Sequence, residues 1–358
     1  MNTAWRRASN MKFSTILLAL FCAHCGRISA IEAGNDVKSA TQRGLALVTR
    51  AAGNWQKNKS CFSCHHQTLP MLAMAEAASA GFPPDPAWMK SQADITHQYF
   101  EERIEDMDEG EHVPGGAATA AYGLWALGLD GRPPDRTTTA MVTYLLQIQG
   151  VQKLKGGKPA DSTPPRDGRW IASCRRAPLQ GSEIGDTVLV LIGLEKYATA
   201  EQRPKLVVAR ASAEKYLAEA KLRNQQDRLW RLWGLHRLGG EASAKEAARA
   251  AILKSQRNDG GWAQTDDDQK SDAYSTGQTL FMLCQTGTAP DDPVAQRARD
   301  YLLKTQLADG SWLVESRVKY KAQPYFNNGD PHGEHQFLST AATAWATAAL
   351  AQLLPPKH

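Results

Sequence analysis

The chain has 358 residues, 42% of them hydrophobic and 22% charged, with ten Trp, six Cys and a formal charge of +5. Those values exclude a disordered, collagen-like or disulfide-knotted protein and leave ample length for a large core. Four of the 42 basic residues, Arg6, Arg7, Lys12 and Arg27, lie in the first thirty positions, which hold no acid, so the rest carries 38 basic against 37 acidic residues. That balance excludes an electrostatic case for nucleic acid or an anionic membrane surface.

Lys12 precedes the apolar run Ile16 to Ala23, and the small residues Ser29 and Ala30 follow it. This order predicts a secretory signal peptide over 1–30, cleaved after Ala30 or Ala33, with Met11 as an alternative start. The apolar run is too short to span a bilayer, so the expectation is a periplasmic or secreted protein with no transmembrane anchor. Cys22 and Cys25 leave with the signal. Residues 31–358 are expected to form one domain.

That domain repeats. Asp167-Gly-Arg-Trp170, Asp259-Gly-Gly-Trp262 and Asp309-Gly-Ser-Trp312 share a pattern, with Gly53-Asn-Trp55 a looser fourth. Similar helices precede the clearest copies, each ending in Gln: Gln149, Gln256 and Gln306. Each unit reads as an amphipathic helix, a Gly-containing turn and a more uniformly apolar helix, at the period of a repeat architecture. In chain order this predicts helical hairpins at 39–80, 86–129, 137–195, 203–239, 244–285 and 293–353. Strand-like alternation is nearly absent, so the fold class is all-α.

Gln-x-x-Asp-Gly-x-Trp before a Thr/Ala-rich helix resembles the repeat of squalene and oxidosqualene cyclases and of protein prenyltransferase β subunits. The resemblance implies an α/α toroid, a central apolar cavity able to take an apolar small molecule, and structural roles for the repeated Gln and Trp. It covers most of 140–353. The cyclase acid motif is incomplete: the aligned stretches are Asp272-Ala-Tyr274-Ser-Thr276 and Glu183-Ile-Gly-Asp186-Thr187. Glu183, Asp186 and Asp272 are the candidate acids for protonating a double bond, a task that needs a carboxyl tuned by its neighbours. Asp266-Asp267-Asp268 reads as a solvated turn. The prenyltransferase zinc motif fails at Tyr274, where that family has Cys.

Cys61-Phe-Ser-Cys64-His65-His66-Gln67 contains the Cys-x-x-Cys-His pattern of haem c attachment. Two thiols at this spacing reach the haem vinyl groups while His65 supplies an axial nitrogen. In a closed ring the first and last hairpins are neighbours, which brings the loop Pro331-His332-Gly-Glu-His335 to the same place. His332 is then the opposite axial ligand, and a redox partner is implied. The same residues allow a Cys61, Cys64, His332, His335 zinc site closing the ring, or a disulfide or free thiols with no cofactor. A thioester between Cys64 and Gln67 is a thinner reading. Cys-x-x-Cys-His-His-Gln-x-Leu-Pro, the toroid repeat, and Gln323-Pro-Tyr-Phe326 with Pro331-His-Gly333 together resemble a group of exported bacterial squalene-cyclase-like proteins. That resemblance implies one site built from both loops, without implying an activity.

The leading expectation is an exported toroid with haem c and an electron-transfer role. The alternatives are a non-standard terpenoid cyclase or isomerase, and a scaffold stapled by zinc or a disulfide. Met71 and Met74 are expected in the core, the acidic stretch Glu101–Glu111 in solvent, and His97, His112 and His236 in structural or surface positions. Cys174 and Cys284 have no assigned partner.

Overall fold

The computed structural model describes residues 37–111, 113–151, 167–172, 176–317 and 326–356. The expected signal segment, Cys174, His112 and Gln323 to Tyr325 lie outside the described residues.

The repeated Trp shows why the chain folds into hairpins. Trp170, Trp262 and Trp312 are buried, and each indole Nε1 donates to a carbonyl of the preceding helix: Leu145, Ile252 and Leu302 at 2.7, 3.0 and 2.9 Å. Each Trp backbone N–H donates to a Thr hydroxyl on the following helix, Thr187, Thr276 or Thr343. One side chain thus fastens both arms of a hairpin. The Gln before the turn does the lateral work. Gln149, Gln256 and Gln306 each donate to the turn glycine's carbonyl and to a carbonyl of the next outer helix, that of Ala209, Val294 or Ala40. The last of these links joins the sixth hairpin to the first and closes the ring.

The helices are α1 (37–58), α2 (Leu69–Ser79, entered through a π-helical turn Cys64–Thr68), α3 (Pro86–Glu101), α4 (Ile104–Asp108), α5 (Gly116–Leu129), α6 (Arg136–Gln147), α7 (Glu183–Tyr197), α8 (Arg203–Glu219), α9 (Gln225–Arg237), α10 (Ala242–Lys254), α11 (Ala273–Gln285), α12 (Pro293–Thr305) and α13 (Gln336–Ala351). Among the described residues there is no strand. Helices α2, α5, α7, α9, α11 and α13 pack in that order as an inner ring, and α13 packs against α2 to complete it. The fold is an α/α toroid whose hairpins fall within a few residues of the predicted ranges. The short helix α4 was not foreseen. It lies in the acidic stretch, where Asp108 pairs with Arg136 of the neighbouring α6.

The inner helices reflect their position. Helix α13 is buried along almost its whole length, as its uniformly apolar sequence requires. The axis of the ring is filled rather than open. Trp125 of α5 meets Trp233 of α9 and Trp345 of α13 across the ring at centroid distances of 5.4 and 6.2 Å, and Phe281 of α11 packs on Trp345 at 5.3 Å. The central cavity implied by the resemblance is here an aromatic core. Met71 and Met74 are buried in α2 as expected.

The turn glycines show how closely the hairpins approach. Gly310 sits at φ +89, and a Cβ there would lie 2.6 Å from the carbonyl oxygen of Arg43 on α1. Gly310→Ala combines a left-handed backbone with a backbone clash at the ring closure. It is expected to cost about 2–4 kcal/mol in urea unfolding, whereas Gly131→Ala, also at positive φ but in open space, is expected to cost less.

Candidate active site at the seam and mouth of the ring

The seam between the first and last hairpins is polar and closely bonded. The last turn of α1 presents Asn54, Trp55 and Asn58. Trp55 Nε1 donates to the Cys61 carbonyl at 2.7 Å, tying down the loop that leads into the π turn. Trp55 therefore belongs to the seam and is not a fourth copy of the repeat Trp. The π turn is held at its start by the Gln67 side chain, which accepts from Ser63 N–H at 2.5 Å. From the other side, Asn328 donates to the Ala51 carbonyl and to Asp330 Oδ2. Asp330 also accepts from Asn54 at 3.2 Å and from His66 Nε2 at 2.8 Å, with both partners of the His66–Asp330 pair buried.

This network assigns protons. Asp330 accepts all its bonds, so His66 carries its proton on Nε2 and presents Nδ1 as an acceptor. His65 Nδ1 lies 2.5 Å from His66 Nδ1 and must be the donor of that bond. The lone pair of His65 is thereby left on Nε2, 3.4 Å from the Ser63 hydroxyl. Trp55 stacks on the His66 ring at 4.8 Å and Phe337 on the His65 ring at 5.1 Å, fixing both planes. Burial lowers both histidine pKa values. For His65 the charges of His66 and Arg176 add to the effect, while for His66 the Asp330 bond opposes it. His65 is thus a neutral, oriented base. It borders a cleft lined by Arg176, Gln180, Ser316 and Phe337.

A second buried group lies at the mouth of the ring, where the inner helices begin. Asp186 is in the first turn of α7, one turn below Ser182, whose hydroxyl caps that helix by accepting from Gly185 N–H. Asp186 is buried and its Oδ2 has no hydrogen-bond partner. Burial, reinforced by the Glu183 charge, pushes its carboxyl up to about 8. The positive end of the α7 dipole favours ionisation but is worth at most ~2 kcal/mol, so burial wins and the acid is protonated at neutral pH. Tyr122 of α5 is the buried neighbour that senses Tyr274, Cys64 and Asp186 together.

The other candidate acids have structural work. Glu183 pairs with Arg169 at 2.9 Å. Asp272 caps α11 by accepting from Ser275 N–H at 2.9 Å, and burial pushes its carboxyl up to about 6. Asp266 pairs with Arg228 on a surface turn. His97 bonds Asp135 at 2.7 Å in a structural role.

The expected zinc set is not assembled. Cys61 is exposed whereas Cys64 is buried, with no disulfide between them. His65 Nδ1 faces Ser63 and His66, which leaves Nε2 as the nitrogen with the lone pair. His332, at φ 79, bonds the Ser311 hydroxyl at 2.7 Å, and His335 Nδ1 accepts from Ser316 N–H. The zinc set Cys61, Cys64, His332 and His335 therefore does not converge. Among the described residues no group of three His, Cys, Asp or Glu side chains is placed to hold a metal ion. As arranged here, these residues do not fit a Cys2His2 zinc site. Sequence reasoning had the right pair of loops but missed Asp330, Ser63, His66 and Phe337. The clue available was Asp330 itself, the acid adjoining the nominated Pro331-His332 segment.

Among the described residues, no helix is long and apolar enough to cross a membrane. No protein-family profile and no curated protein matches the sequence. Solved structures do. A variant of the type II terpene cyclase MstE from Scytonema in complex with merosterolic acid A aligns over 90% of this chain and 98% of its own, at 15% identity and TM-score 0.52. A second MstE variant, in complex with geranylgeranyl dihydroxybenzoate, aligns over 91% and 99% at 17% identity and TM-score 0.50. A glycosidase aligns over 90% and 98% at 14% identity and TM-score 0.56. At these identities the likeness is one of fold, and it spans two chemistries. The chain has the terpenoid-cyclase-like α/α toroid fold.

Proposed function

We propose that the chain is a proton-transfer enzyme, a terpenoid cyclase or isomerase of non-standard type, with Asp186 as acid and His65 as base. The observation that carries this reading is the opposite tuning of two buried groups at one end of the ring. The carboxyl is held protonated and the imidazole neutral at the same pH, which is how environments assign acid and base roles. In the reaction, the Asp186 O–H adds its proton to a carbon–carbon double bond. That bond's electron pair forms the new C–H bond and leaves a cation on the adjacent carbon. Loss of a proton to His65 Nε2 restores a double bond, giving an isomer, and solvent returns both groups to their starting states. Toroids of the same fold bind ligands of the apolar kind required, including geranylgeranyl dihydroxybenzoate in MstE. Following the reading of residues 1–30 as a signal, we place the enzyme outside the cytoplasm.

The test is incubation of the purified full chain in D2O with squalene, geranylgeraniol and a geranylgeranyl-substituted dihydroxybenzoate, followed by mass spectrometry. The expected product is an isomer carrying one deuterium, lost in Asp186→Asn and reduced at least tenfold in His65→Gln. Recovery of every substrate without deuterium overturns the reading. The haem reading of Cys61, Cys64 and His65 has a separate signature. Coexpression with haem-maturation proteins would give a covalent Soret band that Cys61→Ala/Cys64→Ala abolishes, whereas the acid–base reading expects a colourless protein.

A further inference from the structure

The outer wall of the ring opens between α8 and α10 into a cleft of about 650 Å3, floored by Gly234, Leu235 and Leu238 of α9. Its walls are mostly apolar, and its size is that of a small-molecule site. The opening follows from what two repeats lack. Five residues before the lateral glutamines Gln149, Gln256 and Gln306 stand Tyr144, Ala251 and Tyr301. After α8 the glutamine itself is replaced by Lys221, with Tyr216 five residues before it. Lys221 is exposed, so the glutamine's lateral bonds are missing between α8 and α10. The absent tyrosine makes the space. Tyr301 of α12 reaches back to the preceding hairpin and donates to the Ser271 carbonyl at 2.7 Å, whereas Ala251 and Ala247, one turn earlier, leave the α10 wall of the cleft short.

The charges in the cleft are sorted by end. Beside Leu238, Glu214 pairs with Arg210 at 2.7 Å, and Arg210 also donates to the Leu238 carbonyl. Glu241, at the start of α10, lies at the same end. At the other end is Arg231, partly buried, which donates through Nη2 to the Ala220 carbonyl at 2.6 Å and has no carboxylate within ion-pair distance. Its neighbour Asp227 is already engaged by Arg223 and Ser182. Burial lowers the Arg231 pKa although the charges of Tyr216 and Asp227 oppose the effect, which marks a cation short of solvent. From Glu241 to Ala251 the trough is about 15 Å long at 1.5 Å per residue. An alkyl cation would be repelled by Arg231, a plain hydrocarbon would leave it unpaired, and a compact anion would leave the apolar trough wet. We propose that this cleft binds a single-chain lipid carboxylate, its head on Arg231 and its tail running toward Gly239 and Gly240. The site lies on the outer wall and does not depend on the acid–base chemistry.

The test is calorimetric titration of the full chain with dodecanoate below its micelle concentration, with shorter carboxylates and dodecyltrimethylammonium as controls. The expected result is one saturable dodecanoate site, with affinity falling about two- to fourfold for each methylene removed and at least tenfold weaker binding of the cation. Ala251→Tyr restores the residue of the other outer helices, so it should fill the cleft and abolish binding with the melting temperature unchanged. Should that variant unfold, Ala247→Leu narrows the same space. Arg231→Gln is expected to weaken dodecanoate at least tenfold and to remove the preference over the cation. Absence of binding, equal affinity for anion and cation, or dodecanoate binding unchanged by both cleft-filling variants overturns the proposal. So does a dimer, seen by ultracentrifugation, that Ala251→Tyr dissolves and dodecanoate does not, because the trough would then be an interface between two copies of the chain.

Discussion

Asp186→Asn is expected to make the protein more stable at neutral pH while abolishing proton transfer. The sign follows from linkage. The Asp186 carboxyl is pushed up to about 8 in the folded chain, against an ordinary value of 3.8. Between those values the folded state keeps a proton that the unfolded state gives up, so stability falls as pH rises from about 4 towards 8. Below pH 4 both states are protonated and the penalty disappears. Asn is nearly isosteric and does not ionise, so it escapes the penalty. The gain at pH 7.5 is expected to be on the order of 3 kcal/mol, with a rise in melting temperature of roughly 5–10 °C. At pH 4 wild type and variant should melt together. Urea denaturation at the two pH values checks this. A variant equal to or less stable than wild type at pH 7.5 would show that Asp186 is not held protonated. Stability surrendered at a buried acid is characteristic of functional sites, where activity and stability trade against each other.

The parts of this molecule that could be read in the sequence are those written in repeated residues. Gln256, Gly260 and Trp262 recur as Gln306, Gly310 and Trp312 because each turn makes the same four bonds, so spacing located the hairpins, while the ring closure came from the resemblance to the squalene-cyclase repeat. The site was legible in place but not in chemistry. The ring closure that the resemblance implies put Cys61 and Cys64 opposite His332 and His335, and the loops do meet. The backbone then redirects the side chains. The Cys64–Thr68 segment is a π turn rather than an α turn, which rotates successive side chains differently and brings His66, not the exposed Cys61, to the seam. His332 adopts a left-handed backbone that aims its ring at Ser311. Asp330, 264 positions from His66, belongs to no periodic pattern. The tuning of Asp186 was hidden for a similar reason. It depends chiefly on burial within the assembled ring, which no local motif records.

Removing the Asp330 carboxylate is expected to open the seam. In Asp330→Ala, Asn54, His66 and Asn328 all lose a bond made to one buried carboxylate. Each buried donor left without its acceptor costs about 1–3 kcal/mol. Those bonds join the first and last hairpins, so the loss should concentrate there. Hydrogen exchange is expected to accelerate at the 63–68 turn and around Asn328, while α9 and α10, on the far side of the ring, keep their protection. Asp330→Asn removes the charge and keeps one acceptor. An amide keeps much of the shape, so its stability cost should be smaller than that of Asp330→Ala. Its oxygen takes the Oδ2 position, which accepts from both His66 and Asn328, and its Nδ2 takes the Oδ1 position facing Asn54. The proton order through His66 to His65 is then unchanged. Nitrogen-15 spectra of the two imidazoles read the tautomers. A lone pair on His65 Nε2 in both wild type and Asp330→Asn, with deuterium transfer retained, is the expected result. A His65 proton on Nε2 in the wild type would show that the seam is only a latch and that the base lies elsewhere.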